Sequence, residues 1–407
     1  MARRLDVTDR IVAADLCAGC GACAVVAPEH VTMAKTDDGF LRPSATKLPR
    51  KQAHDIYAVC PGGRQRGTNG GVNTHPLWGG YHDVTKGWAT DIALRHAAAS
   101  GGALSGVLLW LIESGQVDGA LHIAADPGNP TGNRNTISTS KADILAASAS
   151  RYAPSAPITA VPELLATGRR YAFVGKPCDV AALRNLARLD ARVDQVFPVM
   201  FSFFCAGVPS ENGANVIINK LGVAADNVAQ FRYRGQGWPG RATVVEQNGA
   251  ERSMSYQESW GDVLSSHVQP RCRVCADGTG ISADIAFGDA WQTDESGYPL
   301  FEEGDGVSLI LARTARGAGL VKEAVEHGML HTQPVPIDVL EAMQPGQVRR
   351  RRELLGRLAG RVISGTPIPA YRAMGIWNCA RRAGLWQSVR AALGMARRCF
   401  LRRRQQS

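Results

Sequence analysis

The chain has no apolar run long enough to cross a membrane. Its most apolar stretch, Ala103 to Ile112, falls well short of the about 20 residues that a span requires. The arginines near the start, in MARRLDVTDR, are followed by no apolar segment, which argues against a secretory signal. A soluble, cytoplasmic protein is the expectation. Internal repeats and long low-complexity runs are lacking too, so solenoid and disordered classes are set aside. Acidic residues all but vanish at the end, where Arg349 to Ser407 hold fifteen arginines and one acid, Glu353. The net charge of +10 therefore belongs to that tail, and the remaining residues are close to neutral or slightly acidic. This reads against a specific nucleic-acid-binding core.

What the chain does have is cysteine: ten in 407 residues. In a reducing compartment such a number points to metal rather than to a disulphide framework. The segment C17-A-G-C20-G-A-C23-A-V-V-A27-P28 follows the bacterial ferredoxin run C-x2-C-x2-C-x3-C-P, with Ala27 where the last cysteine would stand. In two-cluster ferredoxins that last cysteine serves the other cluster, and the fourth ligand of the first comes from a distant Cys-Pro. Cys60-Pro61 supplies one. Cys17, Cys20, Cys23 and Cys60 thus form one complete set for a 4Fe-4S cluster, with Gly19 and Gly21 letting backbone N–H groups approach the sulphurs. The alternative is a four-cysteine zinc site, which commonly uses C-x2-C pairs instead of a triple.

A second group is more dispersed. Cys178 follows an apolar strand in YAFVGKPCDVAALRNLA and opens a helix, whose positive end favours thiolate. Cys205 closes the apolar run FSFFCAGVPS, and Cys272 and Cys275 stand in RCRVCADGTG. Spacing leaves open whether these four are a second ligand set or buried small hydrophobes.

Three regions are expected. Residues 1–75 form a cysteine-punctuated, ferredoxin-like segment ending in the turn-rich GGRQRGTNGG, which looks like a linker. Residues 80–345 form the second region, and as far as about residue 215 strand and helix patterns alternate: strands near Gly119–Ala125 and Tyr171–Gly175, an apolar run at Val196–Phe204, and helices near Gly102–Glu113, Ala142–Ala149 and Val180–Leu189. That alternation predicts an α/β (α+β) domain on a mixed, largely parallel sheet. Phe231–Tyr233, Ala242–Glu246, Ile285–Gly288 and Val307–Ala312 are assigned to the same or an adjoining sheet. Residues 346–407 form an arginine-rich amphipathic helical tail with helices Arg350–Val362 and Ala373–Leu401.

Six motifs in register, ASGGALSGVLLWL, SRYAPSAP, GKPCDVAALRNL, FFCAGVPS, FRYRGQGWPG and RCRVCADGTGISADIAFGDAW, resemble the signatures of the coenzyme F420 hydrogenase/dehydrogenase beta subunit family, across about residues 12–320. That family also includes 7-hydroxymethyl chlorophyll a reductase and ferredoxin-dependent divinyl reductases. The resemblance implies an α/β domain holding FAD and clusters that relay electrons to it. By motif it carries Cys178, Cys205, Cys272 and Cys275 to the second-cluster positions of members with two 4Fe-4S clusters. The chlorophyll-pathway members have a longer, differently spaced cysteine segment, so a pigment reductase is disfavoured.

With the family in view, Ser100-Gly101-Gly102 before the apolar helix is assigned to FAD pyrophosphate. Arg151 and Tyr152 are read as a phosphate clamp and stacking face. Lys176 is read as a charge near the flavin ring. Asp289 and Trp291 are candidate pocket residues. Expected partners are ferredoxin or another redox protein, a small organic substrate and the deazaflavin coenzyme F420. The basic tail is read as a dock for an acidic carrier or for peripheral contact with an anionic membrane. No catalytic proton donor can be named, and a non-enzymatic electron-transfer subunit is the rival reading.

Overall fold

The computed structural model describes residues 6–67, 70–292, 300 and 302–406. Its centre is an eight-stranded sheet: β1 (Asp83–Ala89), β2 (Gly119–Asp126), β3 (Asn129–Ser138), β4 (Tyr171–Gly175), β5 (Val199–Phe203), β6 (Ile285–Asp289), β7 (Ser308–Ala312) and β8 (Leu330–Pro334). The strands run in the order β8-β1-β7-β6-β5-β4-β2-β3. Strands β4, β5 and β6 are buried almost throughout and read as continuous apolar runs, as strands covered on both faces must.

The expectation of a largely parallel sheet holds only for the middle. The pairings β2-β4, β4-β5 and β5-β6 are parallel, while β2-β3, β6-β7, β7-β1 and β1-β8 are antiparallel. The sheet is therefore mixed. Strand β1, which the sequence pattern missed, is the reason for one flank: with Lys86 and Trp88 among its residues it does not read as an apolar run, yet it fills the gap between β7 and β8.

Helix α1 (Ala103–Glu113) packs its apolar residues against this sheet, with Val107, Leu109 and Leu111 almost wholly buried. Helix α2 (Pro177–Ala187) follows β4 directly. Val228–Arg232 and Ala242–Glu246 belong to an adjoining three-stranded antiparallel sheet. The cysteine segment carries a small hairpin, Val31–Lys35 with Leu41–Ala45.

Two features differ from the expected domain plan. Gly62 to Gly71 does not behave as a free linker, because Arg64–Arg66 pairs in parallel with Ala370–Arg372; Thr68 and Asn69 within that stretch lie outside the described residues. The tail, in turn, is only partly an appendage. Helix α3 (Pro345–Ile363) places Leu354 and Leu358 in the same apolar cluster as Cys17, Ile56 and Val274. Its Arg351 is 2% exposed and donates to the carbonyls of Leu77, Ala276 and Met374. Such a short cysteine segment cannot bury enough surface alone, and α3 completes its core. The second expected tail helix is two, α4 (Ile376–Arg381) and α5 (Leu385–Gln406), divided at Gly384, whose φ is +70°.

Candidate redox site

The loop carrying Cys17, Cys20 and Cys23 doubles back on itself through Gly19 and Gly21, at φ +78° and +88°. Other residues rarely adopt that conformation, and a Cβ at Gly21 would also stand 2.6 Å from Thr159 Cγ2. Cys60 ends the helix Arg50–Val59. The four cysteines, with Pro61, Ile11, Ile56 and Met33, line one small cavity. Burial pushes all four thiols up, Cys60 to about 11, and neighbouring thiols push Cys20, Cys23 and Cys60 further the same way. Opposing this, backbone N–H groups of Gly19, Ala22, Ala24, Gly62 and Gly63 point at the sulphurs. Buried thiolates of this kind need a cationic centre to hold them ionised, and the amides suit an anionic cluster.

Cys178, Cys205, Cys272 and Cys275 also come together, from α2, the end of β5 and the segment around the short helix Pro270–Arg273. Burial raises Cys178, Cys205 and Cys275, with Cys205 pushed up to about 12, and each is raised further by other members of the quartet. At Cys178 burial is the largest cause of the rise, and the charge of Lys176 opposes it. Gln269 Nε2 donates to Cys272 Sγ at 3.6 Å and to Ala18 O at 3.4 Å, which ties the second quartet to the first loop.

Arg271 lies between the quartets. It is 3% exposed and donates to Pro61 O at 2.9 Å, Gln65 Oε1 at 3.1 Å and Tyr371 Oη at 2.9 Å. Its charge favours the thiolates of Cys17 and Cys60 on one side and Cys275 on the other. Among the described residues no three His, Cys, Asp or Glu side chains are gathered to hold a single metal ion. Four thiols in each set, with backbone N–H groups aimed at the sulphurs of the first, are donors of the kind a cuboidal iron-sulphur cluster takes.

A cavity of ≈ 300 Å³ opens beside the second quartet, and Cys205 is part of its wall. Ser100, Gly102, Arg151, Tyr152, Lys176, Asp289 and Trp291 all line it. Gly101 does not: its carbonyl accepts from Ala89 N, and a Cβ there would meet Gly87 O at 2.6 Å. The N-terminus of α1 faces the cavity through Ala103, Leu104 and Ser105. Arg151, read as a phosphate clamp, spends its donors on Asn133 Oδ1 and on the carbonyls of Phe231, Pro130 and Gly132. A guanidinium held this way braces the wall. Lys176 is buried rather than solvated, its Nζ 2.7 Å from both Asp179 Oδ2 and Ser155 Oγ. Its positive charge is largely matched by Asp179, whose other oxygen, Oδ1, is buried with no partner among the described residues.

Sequence reasoning passed over several wall residues. Arg234, 3% exposed, grips Asp289 through two bonds of 3.0 and 2.7 Å and lies over the rings of Tyr256 and Trp291. Tyr152 packs on Trp260 with ring centroids 4.8 Å apart. Arg234 was visible inside FRYRGQGWPG; Tyr256 and Trp260 carry no local signal, since an irregular helical segment (Gln257–Leu264) brings them over the sheet edge. The mouth lies outside the carboxyl ends of parallel strands β4, β5 and β6, where open α/β sheets bind ligands.

Comparison with known proteins agrees with this architecture. Two family models, which describe the N-terminal and C-terminal parts of the coenzyme F420 hydrogenase/dehydrogenase beta subunit, match residues 84–162 and 168–337 respectively. A coenzyme F420 hydrogenase subunit beta from Methanococcus voltae is 25% identical over 309 residues, covering 72% of this chain and 99% of the relative. A coenzyme F420-dependent sulfite reductase from Methanocaldococcus jannaschii is 24% identical over 337 residues, 78% of this chain and 47% of that protein. A chain in the structure of the F420-reducing [NiFe] hydrogenase complex from Methanosarcina barkeri shares the fold, with a TM-score of 0.52 and 23% identity over 69% of this chain and 96% of that one. The two family matches in tandem, on a chain whose sheet and cavity they span, mean that this protein belongs to the coenzyme F420 hydrogenase/dehydrogenase beta subunit family.

Proposed function

We propose that the protein is an iron-sulphur flavoprotein oxidoreductase that passes electrons between a ferredoxin-like carrier and either coenzyme F420 or a small organic substrate. The observation that carries this reading is the contiguity of the site: two cysteine quartets share Arg271, and Cys205 of the second forms part of a ligand-sized cavity. Cys17, Cys20, Cys23 and Cys60 would hold one 4Fe-4S cluster, and Cys178, Cys205, Cys272 and Cys275 the other. Ser100, Gly102, Tyr152 and Lys176 would surround FAD. When bound, clusters move single electrons and flavin holds one or two, which suits conversion between one-electron and two-electron partners.

The chain's own groups have defined tasks. The α1 N-terminus presents N–H groups to an anionic part of the ligand. Asp179 Oδ1 offers an acceptor that no described residue uses. Tyr256 keeps its phenolic proton, because burial pushes its pKa well up, and the rings of Tyr152, Trp260 and Trp291 exclude water from the wall.

Anaerobic purification with iron, sulphide and flavin analysis tests the proposal. About eight irons and one FAD per chain are expected. About four irons would remove the second cluster, and a colourless, zinc-containing preparation would overturn the reading altogether. A second reading, an electron-transfer subunit with no substrate of its own, draws on the relatives named as hydrogenase subunits. Flavin reduction by a carrier without turnover of F420 or any small molecule would select it.

A further inference from the structure

Helix α5 has two apolar faces, and only one of them is used inside the protein. On the inner face Met395 is buried, and the helix approaches α3 so closely that a Cβ on Gly356 or Gly360 would meet Ser388 O at 2.4 Å or Ala392 O at 2.2 Å. On the outer face Leu385, Trp386, Leu393 and Phe400 are 83%, 80%, 66% and 53% exposed, and Trp377 of α4 is 70% exposed. Spacings of one, seven and eight residues along a helix of 3.6 residues per turn keep the α5 members within one arc. Arg390 and Arg397 are exposed beside them. From Ile376 to Gln406 there are eight arginines and no Asp or Glu.

We propose that the outer face of α4 and α5 docks on an anionic lipid bilayer. Charge decides first: a second copy of the chain would set arginines against arginines with no acid on either helix to pair them, so the partner is anionic. The apolar stripe decides between anionic partners. Docking of an acidic carrier protein would use the arginines and leave two tryptophans, two leucines and a phenylalanine with no chemical counterpart. At a bilayer the tryptophans sit at the headgroup level, the leucines and phenylalanine reach the acyl boundary, and the arginines meet lipid phosphates. The helix lies on the surface; among the described residues no helix is long and apolar enough to cross a membrane. The family matches end at residue 337, so this surface is independent of the redox reading.

The test is co-sedimentation of the full chain with vesicles of phosphatidylcholine alone, or of phosphatidylcholine and phosphatidylglycerol in equal parts. Binding to the anionic vesicles, with a blue shift of tryptophan emission, is expected, and neutral vesicles should bind at least about tenfold more weakly. Leu385→Ser/Trp386→Ser should weaken anionic binding by about tenfold or more with an unchanged thermal transition, since both side chains are already in water. Arg390→Gln/Arg397→Gln should weaken it while flattening its salt dependence. Equal binding to both vesicle types, no vesicle binding, or unaltered binding by the Leu385/Trp386 variant would overturn the proposal. So would a variant whose sole effect is on self-association or on affinity for an acidic carrier protein.

Discussion

Arg271 is the residue on which both cysteine quartets lean. Reduction adds negative charge to a cluster, and a buried guanidinium between two of them stabilises both reduced forms. With a cluster in each quartet as proposed, Arg271→Met is expected to shift both midpoint potentials to more negative values in redox titrations followed by electron paramagnetic resonance. Arg271→Lys should restore part of the shift, because it keeps the charge and loses the fork to Pro61 and Gln65. A change confined to one cluster would disprove the shared role. On the cavity wall, His122 is held below its usual 6.5, chiefly by burial, with its Nε2 2.7 Å from Ser138 Oγ. The folded imidazole stays neutral while the unfolded chain takes up a proton as pH falls through that value. The unfolded state then binds more protons, so stability falls with falling pH. The urea midpoint should drop between pH 7 and about pH 5.5, and His122→Gln should make that drop smaller. His75, also lowered chiefly by burial, retains the same sign in the variant.

The pairing of α3 and α5 shows how an element can be specified by what it omits. Gly356 and Gly360 are poor choices for a helix interior, yet they stand where the backbone of α5 comes closest. Gly360→Val would drive its side chain into the Ala392 carbonyl. A stability loss of about 1–3 kcal/mol is expected from denaturant unfolding, together with faster proteolysis around Gly384 as α5 lifts away. An unchanged proteolysis pattern would show that the contact does not hold α5 in place. Elements whose pattern repeats along one stretch of chain were legible before folding: β4 and Ala242–Glu246 fall where the apolar runs put them. The α4–α5 break was not, because the helical periodicity continues across it and only Gly384 interrupts it.

For the whole molecule, the cysteine segment and the tail depend on each other. Leu354, Leu358 and Met374 fill the core behind Cys17, and Tyr371 accepts from Arg271. On the proposed two-cluster reading, a chain ending before Pro345 should therefore lose about half of the iron, that of the first quartet, despite keeping all eight cysteines of the two sets. Iron analysis of that truncation against the full chain measures it. Full retention would show that α3 is dispensable to the module.

Local sequence determined a good deal: the C-x2-C-x2-C triple with its distant Cys-Pro, the strands that end in Lys176-Pro177-Cys178 and Cys205, and the order of the family motifs. These signals are short-range, because chelation spacing and strand periodicity are properties of neighbouring residues. Tertiary structure alone decided that Cys205 meets both its quartet and the cavity, that Arg151 braces backbone carbonyls, that Arg234 holds Asp289, and that the arginine-rich tail contributes core on one side and an unpartnered apolar face on the other. Each of those outcomes pairs residues tens or hundreds of positions apart, and a pairing of that kind exists only once burial has chosen which polar groups must satisfy one another.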